Sequence, residues 1–231
     1  MKGFIVPLIL CLFAASYGQA QKAAWESKNV DKWDSSDISA ILLNSAWGRS
    51  IKVGNMTSLP GFGTIQQAVG AAYNLRSAVV VRFALVRQLQ IEQKYDAMDE
   101  KGKAQFDKKY RDILQCPPCT DYYIISVRGD SPELRNAAVI EDRQKQIFLS
   151  NEKGERRTLA RFSPQTASPG SEALFFFKRK DDKGVPLISA DNKKLMFNLA
   201  LPEIERDSPI SLLKHIEINV ADIVREGVVV F

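Results

Sequence analysis

The sequence predicts an α+β fold, in which N-terminal helices pack on strands and the C-terminal part forms an antiparallel β-sheet or sandwich. Two amphipathic patterns with helical spacing, in residues 35–45 and 99–114, predict the helices. Beyond residue 145 the apolar period changes to two, as in half-buried strands. We therefore expect a helix-rich part at 33–142 and a β-rich part at 145–231, within a single domain that covers 21–231.

Residues 1–20 have the features of a secretory signal peptide. Lys2 supplies the positive start, and the apolar run Phe4–Ala15 that follows is too short to span a bilayer. Gly18 and Ala20 put small residues at the −3 and −1 positions, so cleavage is expected after Ala20. No later segment is long and apolar enough for a membrane helix, so we expect a soluble, secreted or periplasmic protein without a transmembrane anchor.

The charge of the chain argues against a nucleic-acid partner. Cleavage removes Lys2 and no acidic residue, so the formal charge falls from +5 to +4. This excess is mild, and no block of like charges resembles a nucleic-acid-binding arm. A protein or a component of the cell envelope is the kind of partner that the composition allows, and the sequence identifies none.

The most clearly signalled helix follows Asp34, a good N-cap, with Asp37 at the capping-box position. Trp33 and Ile38 fall at the two positions that form a hydrophobic staple, and Trp47 follows where the chain must turn. The favoured interpretation is that Trp33 and Trp47 are packing anchors that hold the helix on a sheet. The alternative is that they form a stacking platform for a ligand.

Predicted strands and helices alternate from residue 51 to residue 138. Residues 51–53 form a short strand, and the Gly- and Ala-rich residues 54–76 are expected to form a long surface loop or a weak helix around Ile65–Tyr73. The β-branched run Val79–Val81 predicts a strand over 77–83 that is buried on both faces. The remaining predictions are a helix from Ala84, an amphipathic helix N-capped by Asp99, a strand at Tyr122–Val127, and a helix that Ser131 and Pro132 open and that runs through Ala138.

The second part of the chain contains the predicted antiparallel strands. Segments 146–149 and 156–162 flank the turn Asn151–Gly154, which is a hairpin signal. Asp181–Gly184 is a second predicted turn. Further strands are expected at 173–178, 195–201, 212–220 and 228–231.

Cys116 and Cys119 are the cysteines that remain after cleavage, and in an oxidising compartment they are expected to bond to each other. In thioredoxin-like proteins a Cys-x-x-Cys motif opens a helix whose dipole lowers the thiol pKa. Here a helix precedes the motif and a strand follows it, so a structural disulfide is favoured over a redox or metal-binding function. A zinc site needs about four ligands, and the single histidine is distant in sequence. We predict no metal and no cofactor.

The sequence contains no evident catalytic constellation, so we predict no catalytic residues. His215 falls opposite Ile216 and Ile218 on a predicted strand, which favours a surface histidine over a hydrolase base. There is no Gly-x-Ser-x-Gly elbow to support a hydrolase. Gly61-Phe62-Gly63 lacks the third glycine of a dinucleotide site, and no Walker lysine is present.

The pattern Trp-x3-Asp-x3-Ile-Leu-x2-Ser-x-Trp over residues 33–47 resembles the opening of a group of uncharacterised exported bacterial proteins, best represented in Acidobacteria. Ala46 stands where those proteins commonly have proline. Val79–Phe83 is similar to their Val-x-Val-Arg-Trp, and Phe175–Arg179 to their Phe-x-Phe-Pro-Arg. The chain end is similar to their Phe-x-Leu-x-x-Met…Gly-x-Leu-x-Phe ending, with matches at Phe197, Leu199, Gly227 and Phe231 and replacements at Pro202 and Val229.

The resemblance implies export and a shared fold. It implies no active site, because its motifs are hydrophobic anchors. We therefore expect an exported, non-enzymatic binding or structural module, and the alternative is a thiol–disulfide redox protein that uses Cys116 and Cys119.

Overall fold

A computed structural model describes residues 23–53, 58–59, 63–64, 68–129, 131–165, 171–199, 201, 209–225 and 228–229. The predicted signal peptide, the matches at Gly227 and Phe231 and the replacement at Pro202 lie outside these residues, as do Gly61 and Phe62. The helices are α1 (Ala24–Ser27), α2 (Ser35–Leu43), α3 (Val79–Glu92), α4 (Glu100–Gln115) and α5 (Ala137–Asp142). Within the described part of the chain, none of the helices could cross a membrane.

Among the described residues, the strands form two larger antiparallel sheets and two short ribbons. The six-stranded sheet has the order β1 (Asn44–Ser45), β2 (Gly48–Val53), β5 (Ala68–Leu75), β6 (Tyr122–Gly129), β10 (Ser171–Lys178) and β9 (Arg161–Gln165). The four-stranded sheet has the order β12 (His215–Asn219), β11 (Lys194–Leu199), β7 (Ile147–Asn151) and β8 (Arg156–Thr158). The ribbons pair β3 (Ser58–Leu59) with β4 (Gly63–Thr64) and β13 (Val224–Arg225) with β14 (Val228–Val229). The predicted α+β class is confirmed.

Aromatic side chains connect the two larger sheets. Phe175 and Phe177 lie on the same face of β10, because side chains two residues apart in a strand point the same way. Both ring centroids lie 5.8 Å from that of Phe197 on β11. All three rings are fully buried, so the core lies between the sheets. The predicted alternation of residues 195–199 is confirmed, since Leu195, Phe197 and Leu199 are buried and the residues between them are less so.

The predicted strand at 77–83 is wrong, because Val79–Val81 form the first turn of α3. A short apolar run does not distinguish a buried strand from a buried helix by periodicity. Val80 and Val81 are buried here in helical geometry, and α3 packs on α2. Tertiary packing thus outweighs the modest helical cost of β-branched residues.

The segment predicted as a loop or weak helix instead contains β5, a strand of the six-stranded sheet. Its small residues suit a crowded position. Ala71 pairs with Gly129 of β6, and a Cβ at Gly129 would lie 2.6 Å from a side-chain carbon of Ile210. Small residues here reflect close packing rather than a loop, which composition alone does not reveal.

Two further segments differ from the prediction. The helix expected from Ser131 to Ala138 is interrupted, because Pro132–Arg135 forms a 3-10 turn and α5 begins only after Asn136, whose side chain caps it. The strand expected at 156–162 is divided between the sheets: Leu159 N–H donates to Ile147 of β7, whereas Ala160 N–H donates to Phe176 of β10.

Other local predictions are confirmed. The hairpin β7–β8 forms at the predicted turn, with Gly154 at φ +82°. Gly184 has the same φ in the turn predicted at 181–184.

The strand predicted at 212–220 is shorter than expected. β12 begins at His215 rather than at residue 212, because Pro209–Leu213 is a 3-10 segment.

Candidate functional site

The start of α2 is held by two carboxylates. The Asp34 side chain accepts hydrogen bonds from Ser36 N–H and Asp37 N–H at 2.8 and 2.9 Å, and Asp37 in turn accepts from Asp34 N–H. The predicted capping box is therefore present. Lys28 donates to both oxygens of Asp37, at 2.9 and 2.7 Å. This hydrogen bond lowers the pKa of Asp37 and raises that of Lys28.

Trp33 and Trp47, at the two ends of α2, are 3% and 1% exposed. The indole N–H of Trp33 donates to the carbonyl of Lys28 at 3.3 Å, which fixes its ring. Trp25 of α1 packs edge-on against Trp47, with ring centroids 5.2 Å apart. Such burial makes Trp33 and Trp47 principally packing side chains, which anchor the segments around α2.

These three tryptophans, which are all the tryptophans of the sequence, line one cavity of about 540 Å³. We call it the tryptophan cavity. Val79, Val80 and Phe83 of α3 form a further part of its wall. Phe83 is 37% exposed, as few of the large apolar side chains that the structure describes are.

The cavity is mainly apolar, and its polar groups lie in and beside α1. Glu26, Lys28 and Asn29 contribute to the lining, and Lys28 is already engaged with Asp37. An apolar cavity with a few polar groups is the usual form of a small-molecule site. The chemistry that these lining residues offer is burial of an apolar group beside the carboxylate of Glu26 and the amine of Lys28.

Sequence reasoning identified Trp33 and Trp47 but missed Trp25 and Phe83. Trp25 was given no part in the site, and Phe83 was placed in the strand predicted over 77–83. The structure puts Val79 and Phe83 one helical turn apart on α3, where side chains at i and i+4 are neighbours. The clustering of aromatic residues near the start of the folded region was the available signal.

Cys116 and Cys119 lie at disulfide distance, with sulfur atoms 1.92 Å apart and Cα atoms 5.3 Å apart. α4 ends at Gln115, immediately before Cys116, and β6 begins at Tyr122. The order of helix, motif and strand is as predicted. Cys116 is therefore at the negative end of the helix dipole, which disfavours a thiolate.

His215 lies at the exposed start of β12 and pairs with Asn198 of β11. Ile216 and Ile218 point the other way and are buried, as the alternation predicted. His215 does not line the tryptophan cavity. In the parts of the chain that the structure describes, no cluster of three or more histidine, cysteine or acidic side chains could hold a metal ion.

Comparison with known proteins gives no relative, because no family model, curated protein or solved structure matches this chain.

Proposed function

We propose that this protein is an exported, non-enzymatic binding module that takes an apolar group of its ligand into the tryptophan cavity. The observation that carries the proposal is the convergence of Trp25, Trp33 and Trp47 with Phe83 on one cavity. These side chains come from three separate segments, so the fold brings them together.

The dimensions and lining of the cavity support binding. Its volume of about 540 Å³ falls within the range of roughly 300–1,000 Å³ that is usual for small-molecule sites. Trp33 and Trp47 are nearly inaccessible to solvent, so they form the buried part of the cavity wall. Trp25 and Phe83 offer more open apolar surface. A rigid wall behind an open aromatic surface reduces the entropic cost of binding.

Export rests on residues 1–20, with their charged start, short apolar run and small residues before the cleavage point. The resemblance of residues 33–47 to exported bacterial proteins agrees with it. N-terminal sequencing of the protein recovered outside the cytoplasm should begin at Gln21. A chain that keeps Met1 in the cytoplasm would contradict export and leave the cavity unaffected.

Titration with the apolar dye 1-anilinonaphthalene-8-sulfonate tests the cavity. Because every tryptophan of the chain lines it, energy transfer from tryptophan to the dye reports that the dye is bound near them, and the variants then locate it. Phe83→Ala removes an exposed aromatic ring from the wall of the cavity. If the ring covers about 40 Å² of the dye, its loss costs about 1 kcal/mol, or roughly fivefold in Kd.

Leu212→Ala is the matched control for this titration. Leu212 is also an exposed apolar side chain, but it does not line the cavity. Its dye affinity should equal that of the unmodified protein. Absence of binding, or equal affinity in both variants, would show that the tryptophan cavity is not a binding site.

The thiol–disulfide alternative uses Cys116 and Cys119. Cys119 is buried against Ile124 and Phe176, which limits the access that exchange requires. The cysteine pair follows the C-terminal end of α4 rather than preceding an α-helix, so no α-helix N-terminus stabilises a thiolate there. These features favour the structural disulfide.

A further inference from the structure

A second cavity, of about 240 Å³, lies between α2, α3 and the six-stranded sheet. We call it the helix cleft. It shares no lining residue with the tryptophan cavity. Ile38 and Leu42 of α2 are buried and form an apolar wall, and Ile91 of α3 adds a side chain that is more than one-third exposed. Arg128 of β6 and Glu92 at the end of α3 supply opposite charges.

The sheet side of the cleft has an excess of positive charge. Glu172 on β10 is 8% exposed, and two guanidinium groups approach the same oxygen, Oε1. Arg76 lies at 3.9 Å and Arg128 at 3.8 Å, both beyond hydrogen-bond length. Two cations thus share one carboxylate. Arg128 is 45% exposed in its side chain, so it is accessible to an anion in the cleft.

The acidic side chain that lines the cleft is Glu92. Glu92 accepts one hydrogen bond from Gln88, at 2.9 Å on Oε1. No salt bridge with Glu92 is found among the described side chains. Its carboxylate is therefore suited to receive an ammonium group. A guanidinium, a carboxylate and an apolar wall that line one small cleft complement a zwitterion with an apolar side chain.

The walls of the cleft are held at a defined separation. Asn74 of β5 donates from Nδ2 to the carbonyl of Leu42 at 2.5 Å, which joins the end of α2 to the sheet. Gly48 permits this approach, because a Cβ there would lie 2.4 Å from the Leu42 oxygen. The volume equals that of about eight waters at roughly 30 Å³ each, which suits a ligand of about that many non-hydrogen atoms.

From this arrangement we propose that the helix cleft binds a small apolar α-amino acid, with its carboxylate at Arg128, its ammonium at Glu92 and its side chain against Ile38 and Leu42. This inference goes beyond the apolar-group binding proposed for the tryptophan cavity. It stands or fails separately, because the two cavities use different residues.

Isothermal titration calorimetry of the full mature chain with L-leucine tests the proposal. Two analogues separate the charges: 4-methylpentanoate lacks the ammonium group, and 3-methylbutylamine lacks the carboxylate. Leucine should bind more tightly than either analogue. Arg128→Gln should weaken leucine and 4-methylpentanoate by about tenfold or more and leave the amine unchanged. Glu92→Gln should weaken leucine and the amine and leave the acid unchanged.

Arg111→Gln, which removes an exposed charge from α4, is the matched control and should bind leucine normally. Phe83→Ala should also leave leucine binding unchanged, which distinguishes this cleft from the tryptophan cavity. If Arg128→Gln does not fold, the affinities of Glu92→Gln for the three ligands still test whether Glu92 binds the ammonium group. Absence of leucine binding at about 10 mM, or equal affinity for all three ligands, would overturn the proposal.

Discussion

Replacing Asp34 by alanine tests how strongly the start of α2 is determined by its cap. Asp34 accepts two backbone hydrogen bonds, at 2.8 and 2.9 Å, in a helix of nine residues. The side chain is exposed, so its removal leaves no buried void. Loss of an N-cap typically costs about 1 kcal/mol, with a range of roughly 0.5–2 kcal/mol. In a chain of this size that corresponds to a fall in Tm of about 2–4 °C per kcal/mol.

Urea denaturation followed by tryptophan fluorescence measures this loss, because Trp33 and Trp47 flank the helix. Asp34→Ala should lower the midpoint without changing the m-value, since the native core is intact. Asp34→Asn keeps a cap oxygen and should retain most of the stability. Ser36→Ala, in the same exposed turn, is the control. Equal midpoints for Asp34→Ala and Ser36→Ala would refute the view that the capping box stabilises α2.

Two further predictions concern ionisation and the cysteine pair. Desolvation by neighbouring groups acts to raise the pKa of the exposed Glu152, but hydrogen bonds, including those from Lys194 N–H and the Asn192 side chain, lower it to about 2. Its contribution to stability is therefore present above about pH 4.5 and is lost as the pH falls towards 2. Urea midpoints across this window should fall less steeply for Glu152→Gln than for the exposed control Asp182→Asn, and equal slopes would contradict the assignment. Replacing Cys116 and Cys119 together by serine should cost about 2 kcal/mol, because the disulfide closes a very short loop. Thiol titration against glutathione buffers should find a potential below about −300 mV and no exchange activity, whereas a reactive, oxidising pair would support the redox alternative.

α2 lies between the two proposed sites. The tryptophans that flank it line one cavity, and Ile38 and Leu42 line the other. Its capping and packing therefore position both sites, although no side chain of the capping box lines either cavity. Variants of Asp34 should act on both sites through the position of α2.

Features with a complete local signal were predictable from the sequence. The cap at Asp34 needs only one helical turn, and the turn at Gly154 needs a residue that tolerates positive φ. The alternation at 195–199 follows from strand geometry once one face is buried. In each case the physical cause lies within a few residues of its effect.

Tertiary structure decided the rest, because the deciding contacts join residues that are distant in sequence. Val79–Val81 are helical since α3 packs on α2, and the alanine-rich β5 is a strand since β2 and β6 pair with it. The tryptophan cavity combines α1, the ends of α2 and the first turns of α3, and the helix cleft adds a residue of β6. The sequence by itself determined the α+β class and the local caps and turns. Only the folded chain determined which apolar and charged side chains meet in a cavity, because a cavity has no local sequence pattern.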